Sequence, residues 1–178
     1  MKLLWIGAFA VLFASLASLI SGGQSTSLTQ RSWVQASDVM PETTLAQIQQ
    51  ATPLYTARLF DQLPQPFREK LVRKLWSAVE LMTFRSLVLL HLAPTLLLPL
   101  LIGLLEGWWA RANQKSLVKI HSPMRFSLAL TGLGLLPVLA LLWVVAPTAT
   151  PAVALVLVVG AFAIFNTRNF IVHAPTQF

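Results

Sequence analysis

Residues 87–105 read LVLLHLAPTLLLPLLIGLL, a stretch of 19 residues without Asp, Glu, Lys or Arg. Three further runs, 3–20, 128–146 and 152–165, have the same apolar character. A helix that rises about 1.5 Å per residue needs about 20 residues to cross a hydrocarbon core about 30 Å thick. Lipid offers the backbone no hydrogen-bond partners, so such runs must be helical. The sequence therefore predicts an all-α integral membrane protein with four transmembrane helices.

The composition agrees with a membrane location. Hydrophobic residues make up 56% of the chain and charged residues only 11%, which excludes an ordinary soluble domain. Most of the net charge of +7 lies beside the apolar runs, where Lys and Arg fix orientation and bind anionic head groups. The chain has no cysteine, which excludes disulfides, thiolate metal sites and cysteine nucleophiles.

The first apolar run has two interpretations. Lys2 gives it the short basic start of a signal peptide, but its exit, Leu-Ile-Ser-Gly-Gly at 19–23, lacks a clean small-x-small cleavage site. Small residues recur every four positions and would form a strip suited to close helix packing: Ala10, Ala14 and Ser18. We predict that residues 1–21 are a retained transmembrane helix, with a cleaved signal peptide as the alternative.

Residues 22–86 form the one sizeable hydrophilic segment. Its Ser, Thr and Gln content predicts a loop from 22 to about 43 with a short turn near Trp33, followed by a helix over 43–63 that breaks at Pro53. Over 67–86, apolar residues at helical spacing predict an amphipathic helix leading into the second span: Phe67, Leu71, Leu75, Val79 and Met82. This helix can lie in the head-group layer, or it can pack on a partner protein or on the segment before it.

The loop at 106–126 is the most basic short segment of the chain. Arg111, Lys115 and Lys119 are four apart, so they would form one positive stripe on a helix that continues past the membrane. The neighbouring tryptophans suit the aromatic belt at the membrane surface. The sequence therefore predicts an interface or lipid-binding surface of eight residues: Glu106, Gly107, Trp108, Trp109, Arg111, Lys115, Lys119 and Arg125.

This surface admits three uses. A topology anchor that binds anionic lipid head groups is the simplest, and a docking surface for an acidic partner is the alternative. Direct contact with nucleic acid is not favoured, because the cations lack interleaved aromatic residues.

The last two runs are joined by only five residues, 147–151, which predicts a tight helical hairpin over 127–165 and a polar cytoplasmic tail over 166–178. The short loop at 106–126 has four cations against the single Glu106, so the positive-inside rule places it in the cytoplasm. Both termini are then cytoplasmic and 22–86 is periplasmic. Of the 13 Lys and Arg residues this puts six inside and seven outside, but long segments translocate largely regardless of charge.

No catalytic, cofactor or metal site is predicted. The six acidic residues show no paired spacing on one helix face, and His91, His121 and His173 fall in three separate regions. A proton relay through His91 is not favoured, since no other ionisable residue lies inside the four runs. Phosphate loops, nucleophile elbows and dinucleotide fingerprints are lacking. We expect a protein without enzymatic activity.

The order of parts carries a family resemblance. A span that ends in Gly-Leu-Leu-Glu-Gly (103–107) is followed by a basic loop ending in His-Ser-Pro-Met-Arg (121–125), a Pro-linked hairpin and a polar tail. Over roughly 84–169 this arrangement resembles an inner-membrane protein family of integrating conjugative elements and conjugative plasmids. Glu106 and Gly107 match the Asp/Glu-Gly of that family, whereas the following cations match its Arg-rich stretch in character only.

The resemblance implies a role in DNA transfer between bacteria, in or beside a type IV secretion apparatus of the inner membrane. It implies other membrane proteins of the conjugation machine as partners and no particular activity. The sequence leaves open whether the chain forms a homo-oligomer. The alternative is a small envelope protein, such as an exclusion factor or a transporter accessory subunit.

Overall fold

The computed structural model describes residues 2–21, 25–62, 64–113 and 122–175. Within these ranges there are six α-helices and no β-strand, so the all-α prediction is confirmed. The helices are α1 (Lys2–Ser21), α2 (Ser25–Ala36), α3 (Glu42–Asp61), α4 (Gln65–Asn113), α5 (Pro123–Val145) and α6 (Ala152–His173).

Three of the described helices are long and apolar enough to cross a membrane: Leu75–Asn113 within α4, Pro123–Val145 and Ala152–His173. The apolar part of α1, Ile6–Ile20, is shorter. The long helices expose many large apolar side chains, among them Leu97, Leu98, Leu101, Leu128, Leu141 and Leu157. Exposure of such continuous apolar surfaces to water is unfavourable, whereas lipid solvates them. The chain is therefore a membrane protein.

The longest helix, α4, joins two segments that the sequence treats separately. It has 49 residues, so the predicted amphipathic helix and the second span are one helix that passes through Pro94 and Pro99 without ending. At 1.5 Å per residue it is about 70 Å long, more than twice the thickness of a hydrocarbon core of about 30 Å. Part of α4 must therefore extend beyond the lipid core.

The buried face of α4 differs from the predicted stripe. Leu75, Val79 and Met82 are only half-buried, while the side chains of Phe67 and Leu71 lie outside the described part. The fully buried positions follow a neighbouring helical line: Ala78, Leu81, Phe84, Arg85, Val88 and Leu92. That line includes an arginine, which hydropathy assigns to solvent, so the line buried within the single chain does not follow from the apolar pattern.

Two predictions within 22–63 are wrong. The predicted loop is largely helical, because α2 occupies Ser25–Ala36; residues 22–24 lie outside the described part. Its buried positions Thr29, Ser32 and Ala36 are small or polar, so hydropathy gives little periodic signal. The break expected at Pro53 does not occur either. Pro53 is exposed, and a continuous buried face runs past it: Leu45, Ile48, Thr52, Thr56 and Phe60.

The chain divides into two compact units. The first, which we call the loop-side unit, is Lys2–Leu92 with Leu141–Ala154. Its core includes an edge-to-face pair, Trp33 and Phe84, whose ring centroids are 5.8 Å apart. Phe60 and Trp76 stack at 5.6 Å, which fixes α3 against α4.

In the same unit the end of α1 packs on α4. Leu19 lies in a cluster with Ala78 and Leu81. The predicted small-residue strip, by contrast, is exposed in the single chain at Ala10, Ala14 and Ser18. Among the described side chains of α1, the buried one is therefore Leu19 and not a member of the strip.

The second unit, which we call the charged-end unit, is Ala93–Ala140 with Leu155–Phe178. In it α5 and α6 run antiparallel. Phe126 stacks on Phe170 at 5.1 Å, and Gly132 lies against Asn166. The hairpin of α5 and α6 is thus present, but α6 continues to His173, so most of the predicted tail is helical. Residues 176–178 lie outside the described part.

Candidate interface at the charged end of the spanning helices

Two glycines bring α4 and α6 together. A Cβ atom on Gly103 would lie 2.8 Å from the Ile164 carbonyl oxygen and 2.9 Å from Cβ of Thr167. A Cβ atom on Gly107, one turn further, would lie 2.9 Å from Cβ of Ile171. Such distances leave no room for any side chain. Gly103 and Gly107 therefore form a small-xxx-small crossing, in which the two backbones touch.

The charged residues beside this crossing connect the same two helices. Nε of Arg168 lies 3.1 Å from Oε1 of Glu106, and both side chains are about half exposed. One turn further along α4, Arg111 donates a hydrogen bond to the Ile171 carbonyl oxygen at 3.2 Å. This carbonyl lies in the last turn of α6, where unpaired carbonyls and the helix dipole favour a cation.

The predicted surface thus separates into four groups. Glu106, Gly107 and Arg111 contact α6. Trp108 and Trp109 are 70% and 69% exposed, as side chains that contact lipid or a partner would be. Lys115 and Lys119 lie outside the described residues, as does His121.

Arg125, the last member of the predicted surface, is exposed on the first turn of α5. That turn begins with Ser122, whose Oγ accepts a hydrogen bond from the backbone N–H of Arg125 at 3.4 Å. Serine followed by proline at the first helical position is a strong helix start, so Arg125 sits on a well-defined turn.

A groove of about 430 Å³ lies between α5 and α6 beside Arg125. Its lining from α5 is Arg125, Leu128 and Ala129, and its lining from α6 is Phe165, Asn166, Arg168 and Asn169. The sequence places Arg168 in a polar tail and so misses its position in this groove. Arg168 follows Phe165 by three residues, so an α6 that is extended past 165 would place both on one face, and this spacing is the signal that could have located Arg168.

Asn166 is a second residue that the sequence analysis misses. It is buried, and its Nδ2 donates to the Phe162 carbonyl oxygen at 2.7 Å, one turn earlier in α6. Its amide lies directly against Gly132 of α5. A glycine facing a buried amide lets α5 approach α6 without leaving the polar side chain unsatisfied.

The most extensively hydrogen-bonded residue that the sequence does not single out lies in the loop-side unit. Arg85 is completely buried, and its guanidinium donates to the carbonyl oxygens of Trp143 at 3.0 Å, Ala146 at 2.6 Å and Thr148 at 2.6 Å. It also donates to Oγ of Ser32 at 3.3 Å and lies 5.5 Å from the centre of the Trp143 ring. The sequence counts Arg85 only as one cation of a basic segment.

The contacts of Arg85 fix the connection between α5 and α6. Trp143 lies in the last turn of α5, whose carbonyls have no partners within the helix, and the other two carbonyls belong to the connection at 146–151. The connection is tightened further by a hydrogen bond of 3.1 Å from Nε1 of Trp143 to the Thr150 carbonyl oxygen. Arg85 therefore holds the turn that the prolines at 147 and 151 begin and end.

The charged side chains of the described residues can pack helices together, form ion pairs and contact anions. No group of three or more His, Cys, Asp or Glu side chains that could hold a metal ion occurs in the described part of the chain. The absence of a cofactor and of enzymatic activity stays a prediction.

A family model described as "IncC plasmid conjugative DNA transfer protein DtrJ-like" matches residues 25–170. The matched range begins with α2 and ends in α6, so it includes the groove, Arg85 and all of the crossing of α4 and α6 except Ile171. No curated protein and no solved structure matches the chain. The match confirms the association with conjugative plasmids that the sequence resemblance indicates.

Proposed function

The chain belongs to the DtrJ-like family of IncC plasmid conjugative DNA transfer proteins, and we propose that it is a non-enzymatic membrane component or assembly partner of the conjugation machine. One observation carries this proposal. The family match extends over 25–170, so one family model includes both most of the hydrophilic segment and most of the charged end of the spans. A protein matched over both regions is expected to act through both of them.

The proposed location is the inner membrane beside the type IV secretion apparatus, with four spans, α1 being the fourth. Both termini then lie in the cytoplasm, and 22–86 lies in the periplasm. Support comes from the cations of 106–126 and from the exposed Trp108 and Trp109, which suit a membrane surface with anionic lipid. In this arrangement 22–86 meets periplasmic components of the machine, and the charged end meets cytoplasmic ones.

A structural role agrees with how the charges are used. Glu106 is paired with Arg168, and Arg111 and Arg85 donate to backbone carbonyls. These side chains connect helices, which suits an assembly protein. Catalysis would instead need a general acid or base beside a reacting group.

The test is deletion of the gene from a conjugative plasmid, with transconjugants counted per donor cell. We expect transfer to fall by orders of magnitude and to recover when the full chain is supplied in trans. Gly7→Leu is a suitable control for complementation, because a Cβ atom added there meets nothing within 4 Å, and it should restore transfer fully. Unchanged transfer from the deletion donor would contradict the proposal.

A second arm separates this role from an envelope function in recipients. The chain is expressed in recipient cells that lack the plasmid, and uptake from a wild-type donor is measured. We expect uptake to be unchanged. A marked reduction, together with normal transfer from the deletion donor, would indicate an exclusion factor.

A further inference from the structure

The charged and the apolar side chains that line the groove between α5 and α6 lie at different positions along its length. Arg125 precedes Leu128 by about one turn on α5, and Arg168 follows Phe165 by about one turn on α6. Because the two helices are antiparallel, both arginines lie at the same end of the groove. Leu128 and Phe165 lie deeper along the spans and are 63% and 58% exposed.

The arginine end coincides with the ends of the apolar helices. α5 begins at Pro123, two residues before Arg125, and α6 ends at His173, five residues after Arg168. The ends of membrane helices lie at the level of the lipid head groups. The groove therefore presents cations where phosphates lie and an apolar wall where acyl chains lie.

The local charge favours an anion. Arg125 and Arg168 are positive, and Glu106, paired with Arg168, is the acidic side chain that contacts this lining. The first turn of α5 adds the positive end of a helix dipole on the side of Arg125. The amide nitrogens of Asn166 and Asn169 already donate to the Phe162 and Phe165 carbonyls. The two guanidinium groups are therefore the strong anion donors of the groove.

We propose that this groove binds an anionic glycerophospholipid, with the phosphate between Arg125 and Arg168 and an acyl chain along Leu128 and Phe165. Guanidinium forks match the geometry of phosphate oxygens, and basic pockets between membrane helices suit such head groups. A phosphate without acyl chains would leave the apolar wall unused, so a lipid fits the lining better than a free ion. The inference goes beyond a role in DNA transfer and does not depend on it.

The test uses the purified full chain in detergent, with bound lipid counted by native mass spectrometry. The probes are phosphatidylglycerol, phosphatidylcholine and inorganic phosphate. We expect phosphatidylglycerol to bind about tenfold more tightly than phosphatidylcholine, because both lipids carry the phosphate but the two guanidinium groups repel the choline cation. Millimolar inorganic phosphate should not displace it; displacement by phosphate alone would overturn the proposal in favour of an ion site.

Matched variants separate the groove from general charge. The double variant Arg125→Gln/Arg168→Gln should lose the preference for phosphatidylglycerol. The double variant Arg31→Gln/Arg58→Gln removes the same charge from exposed positions in the loop-side unit and should keep it. Equal loss in both would overturn the proposal.

Two further variants guard against indirect effects. Glu106→Gln breaks the ion pair with Arg168 but leaves both cations, so it should bind phosphatidylglycerol at least as well as the wild type. If the double glutamine variant does not fold, Arg125→Lys/Arg168→Lys keeps the charge and removes the planar fork. Its affinity for phosphatidylglycerol should then fall below that of the wild type, and undiminished affinity would contradict phosphate binding by the guanidinium groups.

Discussion

Arg85 shows how a membrane protein can bury a cation without a carboxylate. Its guanidinium is completely inaccessible, yet it meets four carbonyl oxygens, from Trp143 to Thr148, and the face of the Trp143 ring. Carbonyls at the end of a helix are electron-rich and lack intrahelical partners, so they are natural acceptors for a fork of donors. The cost of removing the charge from water is thus offset by groups that would themselves be unsatisfied.

Replacement of Arg85 by leucine should destabilise the protein strongly. The leucine removes the donor of the Trp143 and Val144 carbonyls, whose hydrogen bonds are buried, and each buried group left unsatisfied costs about 1–3 kcal/mol. The free energy of unfolding can be measured by SDS titration in mixed micelles, with tryptophan fluorescence as the signal. Arg31→Leu, at an exposed position on α2, is the control and should change stability by less than about 0.5 kcal/mol. Equal stability of the two variants would show that the carbonyl contacts contribute nothing.

The pair of Glu106 and Arg168 should contribute much less. Both side chains are about half exposed, and exposed ion pairs contribute roughly 0–1 kcal/mol. A double-mutant cycle with Glu106→Gln and Arg168→Gln should give a coupling energy in that range, decreasing as salt is raised. A coupling energy that is larger and insensitive to salt would indicate a pair shielded from solvent, contrary to this structure.

The residues of the interface could be predicted only in part. Glu106 and Gly107 stand out because a charge and a glycine follow a long apolar run, and both contact α6. Arg85 gives no such signal, since its acceptors are backbone carbonyls, which every residue carries. Asn166 is hidden for a related reason, because burial against Gly132 depends on how two distant helices cross.

At the scale of helices, the crossing of α4 and α6 depends on the absence of side chains. Leucine at Gly103 or Gly107 would have to displace the backbone of α6, because a Cβ alone already lies within 3 Å of that helix. Overpacking of this kind typically costs about 1–3 kcal/mol. The crossing is therefore a place where a larger and more apolar residue harms a membrane protein.

We expect Gly103→Leu and Gly107→Leu each to lower the free energy of unfolding by about 1–3 kcal/mol. Gly7→Leu makes the same chemical change in α1, where an added Cβ meets nothing within 4 Å, and should be close to neutral. The comparison uses the same SDS titration, and immunoblots of membranes give the amount of each variant in cells. If Gly7→Leu were as harmful as the other two, the effect would arise from leucine itself and not from the crossing.

Helix positions could be predicted where the apolar run was long. The runs at 128–146 and 152–165 correspond to α5 and α6, although α6 continues for eight residues beyond the second run. That extension carries Asn166 and Arg168, which are polar by composition but held in the helix by contacts with α5 and α4. The helix α2 has no such run, and its buried threonine, serine and alanine become informative only once the packing is known.

At the scale of the whole molecule, we expect the division of charge between the two ends of the spans to set the orientation. The cations of 106–126 lie in a short segment, where the positive-inside rule is strongest, whereas those of 22–86 lie in a long segment that translocates regardless of charge. A reversed chain would place the short basic segment against the membrane potential. The arrangement with cytoplasmic termini is thus the one that electrostatics favours.

The lack of native cysteine makes this orientation testable without background labelling. Asp38→Cys lies in the exposed turn between α2 and α3, and Asn113→Cys lies at the exposed end of α4. A maleimide that crosses the outer but not the inner membrane should label Asp38→Cys in intact cells, and Asn113→Cys only after the inner membrane is opened. Ala174→Cys, just beyond α6, should behave like Asn113→Cys, because both are predicted to be cytoplasmic. Labelling of Asn113→Cys but not Asp38→Cys in intact cells would reverse the orientation, and different behaviour of Asn113→Cys and Ala174→Cys would contradict the α5–α6 hairpin as a pair of spans.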